Sequence, residues 1–327
     1  MKRVTAAVLN YNGRDLLGVI LPSLERQTYR DFEVMVVDNG SSDNSVRYLR
    51  AHWPQIRVVS LGAENIGVAA ALNVAVRKAK GELIALLNND IELEPGWLAE
   101  LVTAVDRHPD AATVAGKLLN FYRREVIDAA GDIFTHSATA FGRGGGERDV
   151  GQYGREEEVF APTAGAALYR ASALADVGSF DESFFAYFED VDWGLRAQLL
   201  GHRSWYVPSA VGYHMGSETT RPTVNTRYYE LQHRNTLALL VKDVPLPFML
   251  RNAHHIVAHH VLALAYSARA GLLAPHLRGF ACALRASPGW LRERRRIQRT
   301  RRVGPTEFDR FVTSRRRAGG ARGVGDG

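Results

Sequence analysis

Three polar side chains follow directly on a run of five apolar residues near residue 90. The run from Leu83 to Leu87 reads Leu-Ile-Ala-Leu-Leu, and Asn88, Asn89 and Asp90 come next. The apolar run predicts a buried strand, so the three polar residues would lie at its carboxyl end. In open α/β sheets, ligands bind at the carboxyl ends of strands. A carboxylate at that place can hold Mg²⁺ or Mn²⁺, and the cation can hold a diphosphate. A turn would explain the two asparagines, but it explains three metal-compatible side chains less well.

Two further polar segments follow a predicted strand or open a predicted helix. Residues 38–43 (Asp-Asn-Gly-Ser-Ser-Asp) either cap a helix or bind the base or ribose of a nucleotide. Residues 65–73 open a helix with Gly67 and small side chains. These either let the helix lie close to the sheet or leave room for a diphosphate. The chain has no G-x-G-x-x-G and no P-loop signature, so neither a dinucleotide fold nor a P-loop is supported.

The segment from Phe184 to Trp193 places three carboxylates among aromatic residues. Glu189, Asp190 and Asp192 either favour the positive end of a helix or supply a general base in a water-poor pocket. In a helix, Glu189 and Asp192 would share a face, whereas Asp190 would point about 100° away. We therefore expect the two sets to have different roles.

Alternating strands and helices must position these side chains. This alternation predicts an α/β fold with a doubly wound, mostly parallel sheet. The predicted strands are Val4–Asn10, Phe32–Val37, Ile56–Leu61 and Leu83–Leu87, and the predicted helices are Asp15–Gln27, Gly67–Ala79 and Pro95–Arg107.

The rest of the chain is less regular. Residues 121–158 are polar and glycine-rich, which predicts an irregular insertion or a mobile loop. A later strand, Trp205–His214, ends at a histidine; a lone histidine is more often structural, but its place among acids makes metal ligation plausible. We predict a catalytic domain over 1–242, a helical, apolar, histidine-rich region over 243–290 and an arginine-rich tail over 291–327. The tail is expected to be disordered from about residue 313.

Charge is distributed unevenly along the 327 residues. Residues 276–327 hold 14 arginines and four acids, a net charge of +10, whereas the first 275 residues have a net charge of −4. The segment Ile256–Ala274 with Arg292–Arg302 predicts an in-plane helix on an anionic membrane, or else a helical subdomain packed on the catalytic domain. Nucleic-acid binding is less expected because no aromatic stacking set accompanies the arginines. Cys282 is the only cysteine and no signal-peptide pattern opens the sequence, so a cytoplasmic location is expected.

These segments, in this order, resemble the family 2 glycosyltransferases of the GT-A fold. The resemblance covers roughly residues 3–242, and the N-N-D form is most similar to the rhamnosyltransferase-like branch. It rests on V-V-D-N-G-S-S-D (36–43), E-N-I-G-V-A-A-A-L-N (64–73), L-L-N-N-D (86–90), F-E-D-V-D-W (188–193) and Y-H (213–214), with Tyr229, Arg234 and Asn235 beyond them.

The resemblance implies a role for each of these positions. Asp190 would deprotonate the acceptor hydroxyl, and Glu189 and Asp192 would orient the acceptor or the base. Asp90 would ligate Mg²⁺ or Mn²⁺, with His214 as a further ligand. The donor nucleotide would lie against Asn10, Asn12, Asp38, Asn65, Gly67 and Asn89.

One departure from the family pattern concerns the metal. The usual metal motif of this fold has two acids, and here Asn88 stands in place of the first. We therefore expect metal to bind with the nucleotide and not before it.

The resemblance further implies an inverting, metal-dependent transfer to a glycan or polyprenyl-diphosphate-linked acceptor in cell-wall or surface polysaccharide synthesis. The favoured donor is dTDP-L-rhamnose, with galactofuranose and other hexoses left open. A nucleotidyltransferase is disfavoured because Asn10–Arg14 is a poor triphosphate-binding loop. A sugar- or membrane-binding module without turnover is disfavoured because Asp38, Asp90 and Asp190 are intact. We expect a peripheral location on the inner face of the cell membrane.

Overall fold

The computed structural model describes residues 1–163, 165–216 and 226–313. Its secondary structure begins with the strands and helices that the sequence predicts, and their bounds differ from the predicted ones by a few residues. The strands are β1 (Val4–Asn10), β2 (Phe32–Asp38), β3 (Arg57–Ser60), β4 (Leu83–Asn88), β5 (Ile91–Leu93), β6 (Ala111–Asn120), β7 (Ile127–Ala129), β8 (Asp132–Thr135), β9 (Ala140–Gly142), β10 (Glu157–Val159), β11 (Ala166–Arg170), β12 (Arg203–His214) and β13 (Val312–Thr313). The helices are α1 (Arg14–Glu25), α2 (Ser45–His52), α3 (Val68–Lys78), α4 (Trp97–Arg107), α5 (Ala171–Val177), α6 (Glu189–Leu199), α7 (Thr226–Lys242), α8 (Leu246–Arg251), α9 (Ala253–Arg269), α10 (Leu273–Thr300) and α11 (Pro305–Phe308).

A mostly parallel sheet forms the centre of the molecule. Its strand order is β10-β12-β6-β11-β4-β1-β2-β3, with β5 added to β12 and β7 added to β6. The pairs β1/β2, β1/β4, β2/β3 and β6/β12 are parallel, while β11 runs antiparallel to β4 and β6. The apolar runs of β1 and β4 are buried because helices cover both faces, as parallel sheets require. The predicted α/β class is confirmed.

Each face of the sheet has its own hydrophobic core. Helices α1 and α4 cover one face with side chains such as Leu17 and Trp97. Helices α3 and α6 cover the other with Ala71 and Trp193. Because β1, β2 and β4 are parallel neighbours in register, the polar residues at their carboxyl ends meet along one edge. That edge carries the candidate site.

Residues 121–158 differ from the predicted irregular insertion. Strand β7 extends the main sheet beside β6, β10 pairs with β12, and β8 and β9 form a smaller sheet with β13. The buried side chains of Ile127 and Phe134 anchor these short strands. Strands of three or four residues are too short for an alternating pattern to be detected in the sequence, which is why they were missed.

The carboxyl-terminal helices also differ from the prediction. Residues 291–300, predicted as the start of a tail, belong to α10, which crosses the predicted boundary at 290/291. Trp290 and Ile297 are seven residues apart, so they face the same way and pack into a third core with Phe184 and Leu239. The density of arginines concealed this apolar face. The disorder predicted from about residue 313 falls outside the described residues. In the described part of the chain, no helix is long and apolar enough to span a membrane.

Candidate functional site

A row of buried polar side chains, joined by hydrogen bonds, occupies the carboxyl ends of β1, β2 and β4. Asn10 donates through Nδ2 to Asp38 Oδ2 at 2.9 Å, and its Oδ1 accepts from Asn89 Nδ2 at 2.8 Å. All three residues are buried. A Cβ at Gly13 would lie 2.0 Å from Asn89 Nδ2, so only glycine lets the loop after β1 pass so close to these side chains. The hydrogen bonds thus hold a row of amide and carboxylate groups in fixed positions.

The loops after β1 and β2 are bonded to each other. Asn12 accepts from the backbone of Ser42 at 2.8 Å and donates from its own backbone to Ser41 Oγ at 2.9 Å. Asp43 accepts from the backbone amides of Arg14 and Ser45, so its role agrees with the helix-capping alternative. Asn12 is exposed and stands at the rim of the edge.

The segment that opens α3 is fixed by asparagines from two loops. Asn39 donates to Asn65 Oδ1 at 3.0 Å and to Gly67 O at 3.1 Å. The amides of Val68 and Ala69, at the start of α3, donate to Phe185 O. Gly67 has φ +94, and a Cβ there would lie 2.7 Å from Phe185 O. The helix start therefore contacts the acidic-aromatic loop. The small side chains of Ala69 and Ala71 are buried in the core beside the sheet, as the close-packing alternative expects. Nucleotide contacts of Asn65 and Gly67 remain predictions.

Asp90 lies in the tight turn between β4 and β5, opposite the end of β12. Its Oδ2 is 3.4 Å from His214 Nε2, and His214 Nδ1 is 2.8 Å from Asp128 Oδ2. Burial alone would lower the pKa of His214, but the hydrogen bonds with Asp128 and Asp90 outweigh it and raise this pKa to about 10. His214 is thus an imidazolium between two carboxylates, and ligation of a metal would require the loss of a proton.

The residues around Asp90 fit a divalent cation that is completed by a ligand. Asp90 Oδ1 is buried and has no hydrogen-bond partner, which is costly unless something positive occupies that position. Over the described residues, no three histidine, cysteine or acidic side chains are grouped so as to hold a metal by themselves. This donor set suits a cation that takes most of its ligands from a diphosphate and water.

Two of the three acids predicted for the chemistry lie together in the first turn of α6. Loss of solvent raises the pKa of Asp190 above its ordinary value, although backbone amides lower it in part. Burial and the charge of Asp190 raise the pKa of Glu189 to about 8, and its Oε2 has no hydrogen-bond partner. Glu189 is therefore a neutral acid at pH 7, whereas Asp190, the next residue, is partly exposed.

Asp192 is separated from these two. It is fully buried, accepts from Arg196 Nε at 2.9 Å, and pairs with Lys242 Nζ at 2.6 Å. Burial raises the pKa of Asp192, but Arg196 and Lys242 outweigh this and hold it below the ordinary value. Both Asp192 oxygens are therefore engaged in a buried ion-pair cluster. Asp192 lies one helical turn from Glu189 on α6, as the spacing predicts, but its oxygens are occupied by two cations, so a contact with the acceptor remains a prediction.

The loop before α6 is strained and is held by one side chain. Phe185, Tyr187 and Phe188 have φ of 64°, 70° and 69°, in the left-handed region that such residues rarely adopt. Asn235, on α7 and fully buried, donates through Nδ2 to the carbonyls of Phe184, Ala186 and Tyr187 at 2.8–3.1 Å. Strain of this kind persists where surrounding structure enforces it, and it is common at active sites.

Reasoning from the residues did not assign roles to Asp128, Asp132 or Asn235. Asp132 lies on β8, accepts from Thr163 Oγ1 at 3.2 Å, and has a pKa well above the ordinary value because of burial and the nearby charge of Asp190. Both aspartates lie in the segment predicted to be irregular, so no periodic pattern placed them. The resemblance had pointed to Asn235, but its contacts are visible only in the structure.

A family model described as "Glycosyl transferase family 2" matches residues 5–178. This range contains the Asp38, Asn65 and Asp90 segments. The chain belongs to glycosyltransferase family 2. The prediction of a glycosyltransferase is therefore confirmed.

Curated relatives of this glycosyltransferase include a rhamnosyltransferase and an O-antigen biosynthesis protein. The N-acetylglucosaminyl-diphospho-decaprenol L-rhamnosyltransferase of Mycobacterium tuberculosis is 28% identical over 288 residues, covering 77% of this chain and 90% of the relative. The O-antigen biosynthesis protein RfbC of Myxococcus xanthus is 31% identical over 198 residues, covering 58% of this chain but only 15% of RfbC. The predicted likeness to rhamnosyltransferases is confirmed.

Solved structures show the same fold. The mannosyltransferase PcManGT from Pyrobaculum calidifontis, in complex with GDP-Man and Mn²⁺, has a TM-score of 0.55 at 20% identity and covers 91% of this chain and 86% of its own. Residues 1–349 of S. aureus TarS in complex with UDP give a TM-score of 0.54 at 19% identity, and the match covers 95% of this chain and 83% of the TarS chain. The predicted GT-A architecture with a helical carboxyl-terminal region is confirmed.

Proposed function

We propose that this enzyme transfers a sugar from a nucleotide-diphospho-sugar to a glycan or polyprenyl-diphosphate-linked acceptor, with inversion at the anomeric carbon. The supporting observation is the contact between two parts of one site. Gly67, in the predicted donor region, contacts Phe185, in the loop that leads into the first turn of α6 and Asp190. A donor held along the strand ends would thus lie beside a carboxylate that can act as a base.

The donor nucleotide would lie along the buried row of polar groups. Asp38 would accept from the base or ribose, and Asn10 and Asn89 would keep it oriented through their hydrogen bonds. Asn12 and Asn65, at the rim, would contact the outer side of the nucleoside. The diphosphate would then extend toward Asp90.

Asp90 would hold Mg²⁺ or Mn²⁺ against the diphosphate, with His214 as a further ligand once it has lost its proton. When bound, the cation would neutralise charge on the departing nucleoside diphosphate. Without the cation, His214 keeps Asp90 oriented because it bridges Asp90 and Asp128; as a ligand through Nε2, His214 would instead be oriented by Asp128 through Nδ1.

Asp190 would accept the proton of the acceptor hydroxyl. The acceptor oxygen would then form the new bond to the anomeric carbon as the bond to the diphosphate breaks on the opposite face. One base is sufficient for such a displacement, and no covalent intermediate is required. Glu189, a neutral acid at pH 7, would donate a hydrogen bond to the acceptor or to Asp190.

The favoured donor is dTDP-L-rhamnose, and the favoured setting is cell-wall or surface polysaccharide synthesis at the inner face of the cell membrane. Support comes from the mycobacterial relative, whose name specifies L-rhamnose and a decaprenol-linked acceptor. Galactofuranosyl and other hexosyl transfer are the alternatives within the family.

The test is a thermal-shift panel of nucleotides and sugar nucleotides, each with and without Mn²⁺. We expect dTDP-rhamnose to raise the melting temperature most, and more so with Mn²⁺. A larger shift with another sugar nucleotide would mean that the donor is not dTDP-rhamnose, but it would still support sugar transfer. If no nucleotide shifts the melting temperature in either condition, the proposed function is wrong.

A further inference from the structure

One region carries most of the exposed apolar side chains. Of the 18 large hydrophobic residues that are exposed in the described part of the chain, 12 lie between Leu246 and Leu291. They belong to α8, α9 and α10. The predicted donor and acceptor residues do not use this region.

The apolar residues of α10 form a single stripe. Leu273, Leu277, Phe280, Leu284 and Leu291 are between 39% and 59% exposed. Their spacing of four, three, four and seven residues places them within an arc of about 60° over a length of about 27 Å. We call these five residues the α10 stripe.

A row of arginines runs beside the α10 stripe. Arg278, Arg285, Arg292 and Arg299 are all exposed and are spaced by seven residues, so they line up about 100° around the helix from the stripe. Between residues 244 and 306 the sequence contains 11 arginines and a single acid, Glu293. The exposed apolar surface is therefore bordered by positive charge.

The opposite side of α10 is fixed to the enzyme. Ala283, Trp290 and Ile297 are buried in the third core. A Cβ at Gly279 would lie 2.6 Å from Glu230 O, so α10 and α7 are in close contact. Because this side packs on protein, α10 can present only its outer side to a partner.

We propose that the α10 stripe inserts into the interfacial region of an anionic lipid leaflet, with the arginine row on the headgroups. Apolar residues beside a row of arginines on a helix are the pattern of in-plane membrane attachment. The proposal extends the proposed function, since a lipid-linked acceptor would lie in the same leaflet. Helix α7, whose Asn235 holds the Asp190 loop, is one helix layer away, about 8–10 Å between axes.

Other occupants fit the surface less well. Residues 217–225 and 314–327 contain only Val224 and Val324 as large apolar side chains, too few to cover the α10 stripe. A second copy would bring a second arginine row with almost no acids to pair with it. A nucleic acid would match the arginines but would leave the leucines of the stripe unused.

The test is cosedimentation with vesicles in the absence of donor. Vesicles of phosphatidylglycerol and phosphatidylcholine are compared with vesicles of phosphatidylcholine alone. One variant carries Arg285→Glu with Arg292→Glu, and a second carries Phe280→Ser with Leu284→Ser. Control variants are Arg47→Glu with Arg50→Glu, both exposed on α2, and Val150→Ser, whose side chain is 77% exposed.

We expect wild type to bind the phosphatidylglycerol vesicles and to bind pure phosphatidylcholine much less. The double arginine reversal should lower partitioning at least about 30-fold, since each surface arginine contributes about fivefold. The Phe280/Leu284 variant should lower it by at least about 30-fold as well, while the controls stay within about twofold of wild type. Each variant must keep the wild-type melting temperature.

Several results would overturn the inference. These are no preference for phosphatidylglycerol in wild type, unchanged partitioning in both double variants, or a dimer that the Phe280/Leu284 change dissociates. Binding to an oligonucleotide that depends on the arginines but not on Phe280 and Leu284 would assign the surface to nucleic acid instead. A nucleotide thermal shift is measured separately, so failure of the proposed function and failure of this inference are distinguishable.

Discussion

At the scale of single residues, neighbouring carboxyl groups of the site differ in protonation because their surroundings differ. Glu189 is buried beside Asp190, and its pKa is raised to about 8. Asp192, three residues further on, faces two cations and stays ionised. Glu189 and Asp192 thus have opposite charge states at pH 7 within one helical turn. Asp190 lies between them in sequence and is the partly exposed acid of the three, so it is the one that we expect to act as the base.

The protonated state of Glu189 predicts the effect of two substitutions. Glutamine keeps a hydrogen-bond donor of similar shape, so Glu189→Gln should retain kcat/KM at pH 7 within about fivefold. Glu189→Ala removes the donor and leaves a cavity, and it should lose at least about 50-fold. Steady-state kinetics at pH 7 provide the measurement. Equal losses in both variants would mean that Glu189 works as a carboxylate.

The unpartnered oxygen of Asp90 predicts coupling between metal and nucleotide. Wild type should bind Mn²⁺ weakly alone and much more tightly with the nucleoside diphosphate, as titration calorimetry can measure. Asp90→Asn should remove this coupling and lower kcat/KM at least about 100-fold, because a metal contributes several kcal/mol of charge stabilisation. Glu92→Gln, a matched loss of charge two residues away on β5, should preserve the coupling. Tight Mn²⁺ binding without nucleotide would contradict the assignment.

At the scale of elements, α7 and α6 support the site in different ways. Helix α7 supplies Asn235 to the strained loop, and it supplies Lys242 to the ion-pair cluster beneath α6. We expect the first contact to position Asp190, the proposed base, and the second to fix the helix that carries it. Their substitutions should therefore be separable by experiment.

We expect Asn235 to act as a positioning residue for Asp190, because it holds the loop before α6. Asn235→Asp would direct carboxylate oxygens at three carbonyls, so the loop should leave its strained conformation. We expect kcat to fall at least about 100-fold, since small displacements of reacting groups have effects of this size, with little change in donor affinity. The matched change Gln232→Glu, on the same helix, should preserve kcat. Loss of donor binding together with kcat in Asn235→Asp would show that the residue does not act through the loop.

Lys242 is predicted to be important for stability. Lys242→Met would leave the buried carboxylate of Asp192 with Arg196 alone, so we expect a loss of about 3–5 kcal/mol in the free energy of unfolding. Urea unfolding at pH 7 measures it. Lys2→Met, at an exposed ion pair with Asp31, should change stability by less than about 1 kcal/mol.

The same cluster has a definite pH dependence. The lowered pKa of Asp192 gives stability that is present above the ordinary carboxylate value of about 3.9. This stability is lost as the pH falls through the lower folded-state pKa. Lys242→Met should flatten that part of the stability profile, and an unchanged profile would mean that Lys242 does not hold Asp192 ionised.

At the scale of the whole molecule, the sequence was sufficient to predict those features that depend on a single strand or helix. The apolar runs of β1, β2 and β4 predicted the parallel sheet, whereas the grouping of Asn10, Asp38 and Asn89 at one site came from the family resemblance. What it could not supply were contacts between distant segments. The bridge from Asp90 through His214 to Asp128 and the clamp from Asn235 join segments that are far apart in sequence.

For the carboxyl-terminal region, the sequence could not decide between two alternatives. Its composition indicated both membrane attachment and packing on the catalytic domain as alternatives. The structure establishes the packing, because Trp290 and Ile297 are buried on one side of α10. The α10 stripe and the arginine row are exposed on its other side, and they are the basis on which we propose membrane attachment. A single helix can have both roles because its faces differ, which composition alone does not reveal.

The central claim is that a nucleotide-sugar bound along the strand ends meets an acceptor deprotonated by Asp190. Asp190→Asn tests it most directly, with donor binding followed by calorimetry and sugar transfer by product formation. We predict an unchanged dissociation constant for the donor in the presence of Mn²⁺, together with a loss of transfer of about 10²–10⁴-fold. Transfer at the wild-type rate by Asp190→Asn would contradict the account.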